Sequence, residues 1–162
     1  VVRNRYVGRS FIQPDQAMRQ HGIRLKFNPL PSVIAGKRLV VVDDSIVRGN
    51  TTQRIVQMLL DAGAAEVHMR ISSPPILWPC FYGIDMADRA ELVAVGRSVE
   101  EIAELTGAHS LAYLTLDGLQ RALGKPASGF CRACFTGEYP IAIPDSSLKL
   151  RFEPGEREPA AA

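Results

Sequence analysis

Acidic residues are nearly missing from the first 38 positions of this 162-residue chain, where eight Lys or Arg stand against Asp15 alone and leave a local charge of +7. The remaining 11 basic and 16 acidic residues give −5, so the overall +2 conceals a basic start and an acidic remainder. Cysteine is scarce: three residues do not build a disulfide-stapled scaffold. No apolar stretch approaches the roughly 20 residues needed to cross a bilayer. The basic start Val1 to Arg9 also lacks the apolar core of a signal peptide. No membrane partner is therefore expected, and the cytoplasm is the expected location. A nucleotide-binding G-x-x-x-x-G-K-[ST] loop is missing as well. Gly36-Lys37 is followed by Arg38 and Gly124-Lys125 by Pro126, with Pro31 and Leu119 where the upstream glycine belongs. There is no internal repeat.

What is present suits a single soluble α/β unit, since 162 residues at 46% hydrophobic composition can bury one core. The basic start has three readings: a nucleic-acid arm, a solvated surface, or a site for a small polyphosphate. Arg3, Arg5, Tyr6, Arg9, Arg24 and Lys26 are spaced among apolar residues rather than massed in a block. That spacing fits a polyphosphate at least as well as a nucleic acid, so no nucleic-acid partner is expected.

The run LVVVDDSIVRGNTT, Leu39 to Thr52, holds the densest chemistry. Leu39 to Val42 are uninterrupted aliphatics, the pattern of a central parallel strand covered on both faces. Whatever follows lies at the carboxyl end of that strand, where open α/β folds bind ligands. Asp43 and Asp44 come next, then a turn of Ser45, Ile46, Val47, Arg48, Gly49, Asn50 and Thr51, with Asn50, Thr51 and Thr52 opening a helix that runs to about Ala62. Glycine permits tight geometry, and free N–H groups, hydroxyls and the positive helix end converge as a phosphate requires. The two acids repel such a phosphate and suit ribose hydroxyls or a divalent cation held beside them. A Walker B acid lacks its partner loop here, and a phospho-acceptor pair does not call for a phosphate cradle directly after it.

Around this run, Pro14 and Gly22 bracket a short helix, Asp15 to His21, with Ala17 and Met18 inward, and residues 1 to 26 read as a mobile region. Asn28 to Pro31 is an extended connection. Residues 37 to 73 make a βαβ unit, its helix presenting Ile55, Met58, Leu59 and Ala62, and its second strand alternating Val67, Met69 and Ile71. Glu91 to Val95 suggests a short strand. Ser98 with Glu101 makes a capping box for a helix to about Thr106, then Leu111 to Leu114 a last strand and Leu116 to Leu123 a last helix. The Pro- and Ala-rich tail after Pro144 is expected to be disordered.

Cys131 and Cys134 form a C-x-x-C, and Cys80 lies in the loop WPCFYG. In a cytosolic protein this spacing points to a metal or cluster site, a redox pair, or coincidence. His21, His68 and His109 offer no obvious further ligand, so a tetrahedral site would be incomplete within this chain.

The Leu39 to Thr52 run closely resembles the phosphoribosyl-pyrophosphate (PRPP) signature of the type I phosphoribosyltransferases. NRYVGRSFIQP, RLKFNPL, SSPPILWPCFYGIDM and CRACFTGEYP are similar to the glutamine-dependent branch of that family, over residues 3 to about 145. The resemblance implies a parallel sheet flanked by helices with a C-terminal cluster-binding extension. Residues 1 to 123 would be the second part of a transferase domain, 124 to 145 the Cys-x-x-Cys segment, and 146 to 162 a tail. It also implies the reaction of PRPP with ammonia from glutamine to give 5-phosphoribosylamine, the opening step of purine synthesis. Purine nucleotides would act as feedback inhibitors and the full-length protein as a homo-oligomer.

By resemblance Asp43 and Asp44 hold the ribose hydroxyls with Mg2+, and Ser45 to Thr52 grip the 5′-phosphate. Lys26 joins the substrate site. Arg5, Tyr6, Arg9 and Ser10 belong to a loop closing over PRPP near the pyrophosphate or the ammonia. Cys80, Cys131 and Cys134 bind a [4Fe–4S] cluster whose fourth ligand lies outside this chain. Ser10 and Asn50 replace the commoner Thr of the family at their positions, losses expected to be small. The family's glutaminase domain and pyrophosphate loop have no counterpart in these residues, so the chain reads as part of a longer polypeptide and is expected to be inactive alone. Two other readings are a non-catalytic PRPP- or nucleotide-sensing module and a metal-binding interaction domain.

Overall fold

The computed structural model describes residues 2–3, 27–84, 88–124 and 129–143. The expected helix Asp15 to His21, the loop residues Arg5, Tyr6, Arg9 and Ser10, Lys26, and the tail after Pro144 lie outside them. A two-residue pair, β1 (Val2–Arg3) with β2 (Phe27–Asn28), is antiparallel. The connection after Asn28 is not extended throughout: Pro31, with its φ preset for a first helical turn, opens the four-residue helix α1 (Pro31–Ile34).

Three parallel strands carry the rest: β3 (Arg38–Asp43), β4 (Glu66–Ile71) and β5 (Ser110–Tyr113), in that spatial order. Asp43 lies opposite Ile71 and Ile71 opposite Tyr113, so the three carboxyl ends form one rim. Helix α2 (Asn50–Asp61) joins β3 to β4, and α3 (Val99–Thr106) leads into β5. On α3, Ser98 Oγ accepts from Glu101 N–H while Glu101 returns the bond to Ser98 N–H, as the capping-box spacing predicts. Helix α4 (Leu116–Leu123) is capped by Thr115.

The core lies between the sheet and α2 and α3. Val67, Met69 and Ile71 alternate inward from β4, against Val56 and Leu59 of α2 and Ile102 and Ala103 of α3. Each of these Val, Leu, Ile and Met side chains contributes about 1.5–3 kcal/mol relative to exposure. The buried stripe of α2 is centred on Thr52, Val56 and Leu59, while Ile55, Met58 and Ala62 pack partly buried at its edge.

Two expectations need correction. Among the described residues β3 is an edge strand, not a central one, and is covered on one face only: Val40 is 66% and Val42 72% exposed. A continuous aliphatic run reports apolar side chains, not how many layers cover them. On that open face Glu66 bonds both Arg38 (2.6 Å) and His68 (2.8 Å), and His68 Nδ1 lies 2.8 Å from Ser110 Oγ. The Arg38 hydrogen bond, and after it that of His68, hold the Glu66 carboxyl below its ordinary range.

Residues 91 to 95 form no strand. Arg89–Glu91 is a single 3-10 turn capped by Asp88, and Leu92, Val93 and Ala94 are buried without a ladder. Their apolarity reflects burial, not strand pairing. A further four-residue helix, α5 (Ala133–Thr136), follows α4 and was too short to show a period. Among the described residues no helix is long and apolar enough to cross a membrane.

Candidate functional site

The acidic pair sits where β3 ends. Ser72, just past β4, latches that end: its N–H and its hydroxyl donate to the Asp43 carbonyl at 3.0 and 2.9 Å. The half-buried Asp43 carboxylate accepts the Asp44 N–H at 3.0 Å, and Ser45 Oγ donates to Asp44 Oδ1 at 2.8 Å. Burial pushes the Asp43 carboxyl above its ordinary value, Asp44's charge pushes it the same way, and the Asp44 N–H opposes both. A partly desolvated carboxylate at a strand end is held in readiness for a cation or hydroxyl ligand.

Beyond them the chain dips into the core with Ile46, 2% exposed, and resurfaces at Arg48. Arg48 Nε pairs with Glu91 at 2.7 Å, both side chains about half exposed. Gly49 takes φ +81°, the left-handed conformation that glycine adopts without strain, and is the N-cap of α2. It supplies no side chain to that cap, so no cap side chain takes up the first N–H groups of α2, which lie at the positive end of the dipole. Asn50 and Thr51 are exposed there, whereas Thr52 is buried. An anion-receptive helix end and two carboxylates thus stand within one connection on the ligand-binding rim of a parallel sheet.

The cysteines lie on two facing segments. Leu77 and Trp78 N–H both donate to the Cys134 carbonyl, at 2.9 and 3.0 Å. Tyr139 OH donates to the Pro79 carbonyl at 2.7 Å, and Tyr82 OH donates to the Ile141 carbonyl at 2.8 Å. Burial raises the Cys134 thiol above its ordinary value, and the charges of Cys80 and Cys131 act in the same direction. Among the described residues, however, no group of three or more His, Cys, Asp or Glu is placed to hold a metal ion. The donor set is soft and suits iron–sulfur or zinc, with fewer than four ligands.

Several residues of this region carry no signal in the sequence. Ser72, Glu91 and Val93 reach the acidic pair and its turn from distant segments, and only the fold brings them there. Trp78 lies under the Arg89 guanidinium, 3.9 Å from its carbon to the ring centroid.

No protein-family model matches the chain. It is 59% identical over 152 residues to an amidophosphoribosyltransferase of Synechococcus elongatus, covering 94% of this chain and 31% of that relative. Against the amidophosphoribosyltransferase of Archaeoglobus fulgidus the identity is 53% over 146 residues, covering 89% and 32%. The solved glutamine PRPP amidotransferase of B. subtilis, in complex with ADP and GMP, superposes with a TM-score of 0.76 at 52% identity, over 91% of this chain and 33% of that one. The chain therefore spans about a third of the length of the proteins it matches. The architecture of three parallel strands with flanking helices is that of the phosphoribosyltransferase-type fold in these enzymes. By sequence and by fold, then, this chain is a relative of the amidophosphoribosyltransferases over that third of their length.

Proposed function

We propose that this chain forms the PRPP-binding part of a glutamine amidophosphoribosyltransferase, in which ammonia from glutamine displaces pyrophosphate from C1 of PRPP to give 5-phosphoribosylamine. The observation that carries the reading is the junction of the Asp43–Asp44 pair with the uncapped start of α2 across a single turn. Asp43 and Asp44 bind the ribose hydroxyls and favour the positive charge that develops on the ring. Ser45, Ile46, Val47, Arg48, Gly49, Asn50, Thr51 and Thr52 form the 5′-phosphate turn, gripping mainly through backbone N–H groups. Anchoring that remote phosphate orients the reacting carbon. Mg2+, held beside Asp43 and Asp44, would supply Lewis-acid stabilisation of the departing pyrophosphate.

Arg5, Tyr6, Arg9, Ser10 and Lys26 complete the substrate site in this reading, with Arg5 to Phe11 closing to exclude water. Cys80, Cys131 and Cys134 would hold three irons of a [4Fe–4S] cluster, the fourth ligand coming from outside this chain. The B. subtilis neighbour was solved with ADP and GMP, which supports purine nucleotides as regulators here too. A homo-oligomer in the cytoplasm is part of the same reading.

PRPP affinity measured by calorimetry with and without Mg2+ tests it. Binding that depends on Mg2+ is expected. Metal binding at the cysteines with no affinity for PRPP at any Mg2+ concentration would overturn the reading.

A further inference from the structure

The phosphate turn does not hold its own shape. Its N-cap is a glycine, and Val47, Arg48 and Gly49 each lean on the segment Arg89 to Val95, about forty residues further along the chain. Val93 N–H donates to the Val47 carbonyl at 2.8 Å. Val93 Cγ2 lies 3.3 Å from where a Cβ on Gly49 would stand, so the isopropyl group fills the space directly under the cap. Glu91 Oε2 accepts from Arg48 Nε at 2.7 Å. Val93 is 3% exposed and Leu92 fully buried, and Leu92 packs in a small cluster that includes Val47.

We propose that Val93 is a positioning residue for phosphate binding, acting through Val47 and Gly49. The inference rests on the PRPP reading above. A helix end binds an anion through the directions of its N–H groups, and those directions follow the orientation of the N-cap peptide. Val93 fixes that peptide from below by packing and fixes the preceding one by a hydrogen bond. Supporting contacts of this kind set whether a binding group is correctly aimed or loose by a fraction of an ångström. Glu91 acts more weakly, because exposed ion pairs contribute about 0–1 kcal/mol; it restrains the direction of Arg48.

The test is steady-state kinetics with ammonia in the full polypeptide. Val93→Ala is expected to raise KM for PRPP about tenfold while kcat stays within about twofold, the signature of lost uniform binding. The matched truncation Val67→Ala, at the far end of β4, is expected to leave KM unchanged. A merely structural role for Val93 would lower active enzyme, hence kcat per mole of protein, with KM unaffected. KM within twofold of the parent in folded Val93→Ala overturns the inference. Should that variant not fold, Val93→Ile, which overfills the space under Gly49, takes its place: a rise in KM of about threefold supports the positioning role and an unchanged KM overturns it. If the parent binds PRPP and these variants match it, the positioning role alone fails. If the parent binds no PRPP, the reading of the turn fails and this inference with it.

Discussion

The backbone N–H of Asp44 donates to the carboxylate of Asp43 at 3.0 Å, so the second acid of the pair is also the group that orients the first. One hydrogen bond leaves further lone pairs on each carboxylate for ribose hydroxyls or a cation. In the full polypeptide, Asp43→Asn with Asp44→Asn is expected to lower ammonia-dependent activity at least about a hundredfold, the scale of losing a charge-stabilising group. Ammonia-dependent turnover equal to the parent's would remove both residues from the mechanism.

Asp43 alone carries a stability cost. Its folded-state pKa is raised, chiefly by burial, so the folded chain holds this proton more tightly than the unfolded one. Stability on this account is full below the ordinary carboxylate value of 3.8 and falls as pH rises through the raised one. At neutral pH the ionised carboxylate therefore works against the fold, and Asp43→Asn is expected to raise Tm at pH 7. The gain should shrink toward zero in acid. Thermal scans of both proteins from pH 3 to pH 7 check this, and an Asn variant that melts lower at pH 7 contradicts it.

Much of this was legible because it is local. The βαβ unit, the Ser98–Glu101 box and the Leu116 to Leu123 helix follow from hydrophobic period and cap residues within a dozen positions. The acidic pair and the phosphate turn are likewise contiguous. What the sequence hid is long-range. Nothing near Val93 announces that its N–H will meet Val47, and nothing in Leu39 to Val42 reveals that one side of β3 stays open. The stretch Glu91 to Val95 suggests a strand because burial and ladder formation leave the same composition.

Tyr113 has its hydroxyl buried with no hydrogen-bond partner among the described residues, and burial lifts its pKa to about 12. The folded state keeps the phenol neutral after the unfolded chain, with its ordinary value of 10.0, has begun to ionise. Stability is accordingly full below pH 10 and declines toward pH 12. Tyr113→Phe is expected to be neutral or stabilising by up to about 1 kcal/mol at pH 7, and to flatten the alkaline decline. Denaturant midpoints at pH 8 and pH 11 decide the matter: a loss at pH 8 would mean that the hydroxyl has a partner in solution.

Gly137 has no room for a side chain. A Cβ there would lie 2.7 Å from Trp78 Cε2, and the residue holds φ +79°. Gly137→Ala is expected to cost about 1–3 kcal/mol through overpacking and to displace the indole from beneath Arg89. Trp78 is the only tryptophan, so its emission reports this directly. An unchanged spectrum and unchanged stability would show that the α5 segment can shift away at no cost.

The outer side of β3 has a wider consequence for handling this chain. No described strand pairs with it, and it presents a row of backbone donors and acceptors beside four consecutive aliphatics. Such a margin is a template for a further strand, whether from elsewhere in a longer polypeptide or from another copy, and the charges at its two ends, Arg38 and Asp43, disfavour unwanted pairing. Removing the carboxylate at position 43 thus acts in opposite directions: it relieves the fold of a desolvated charge and takes away one of the two charges that police what pairs with this strand.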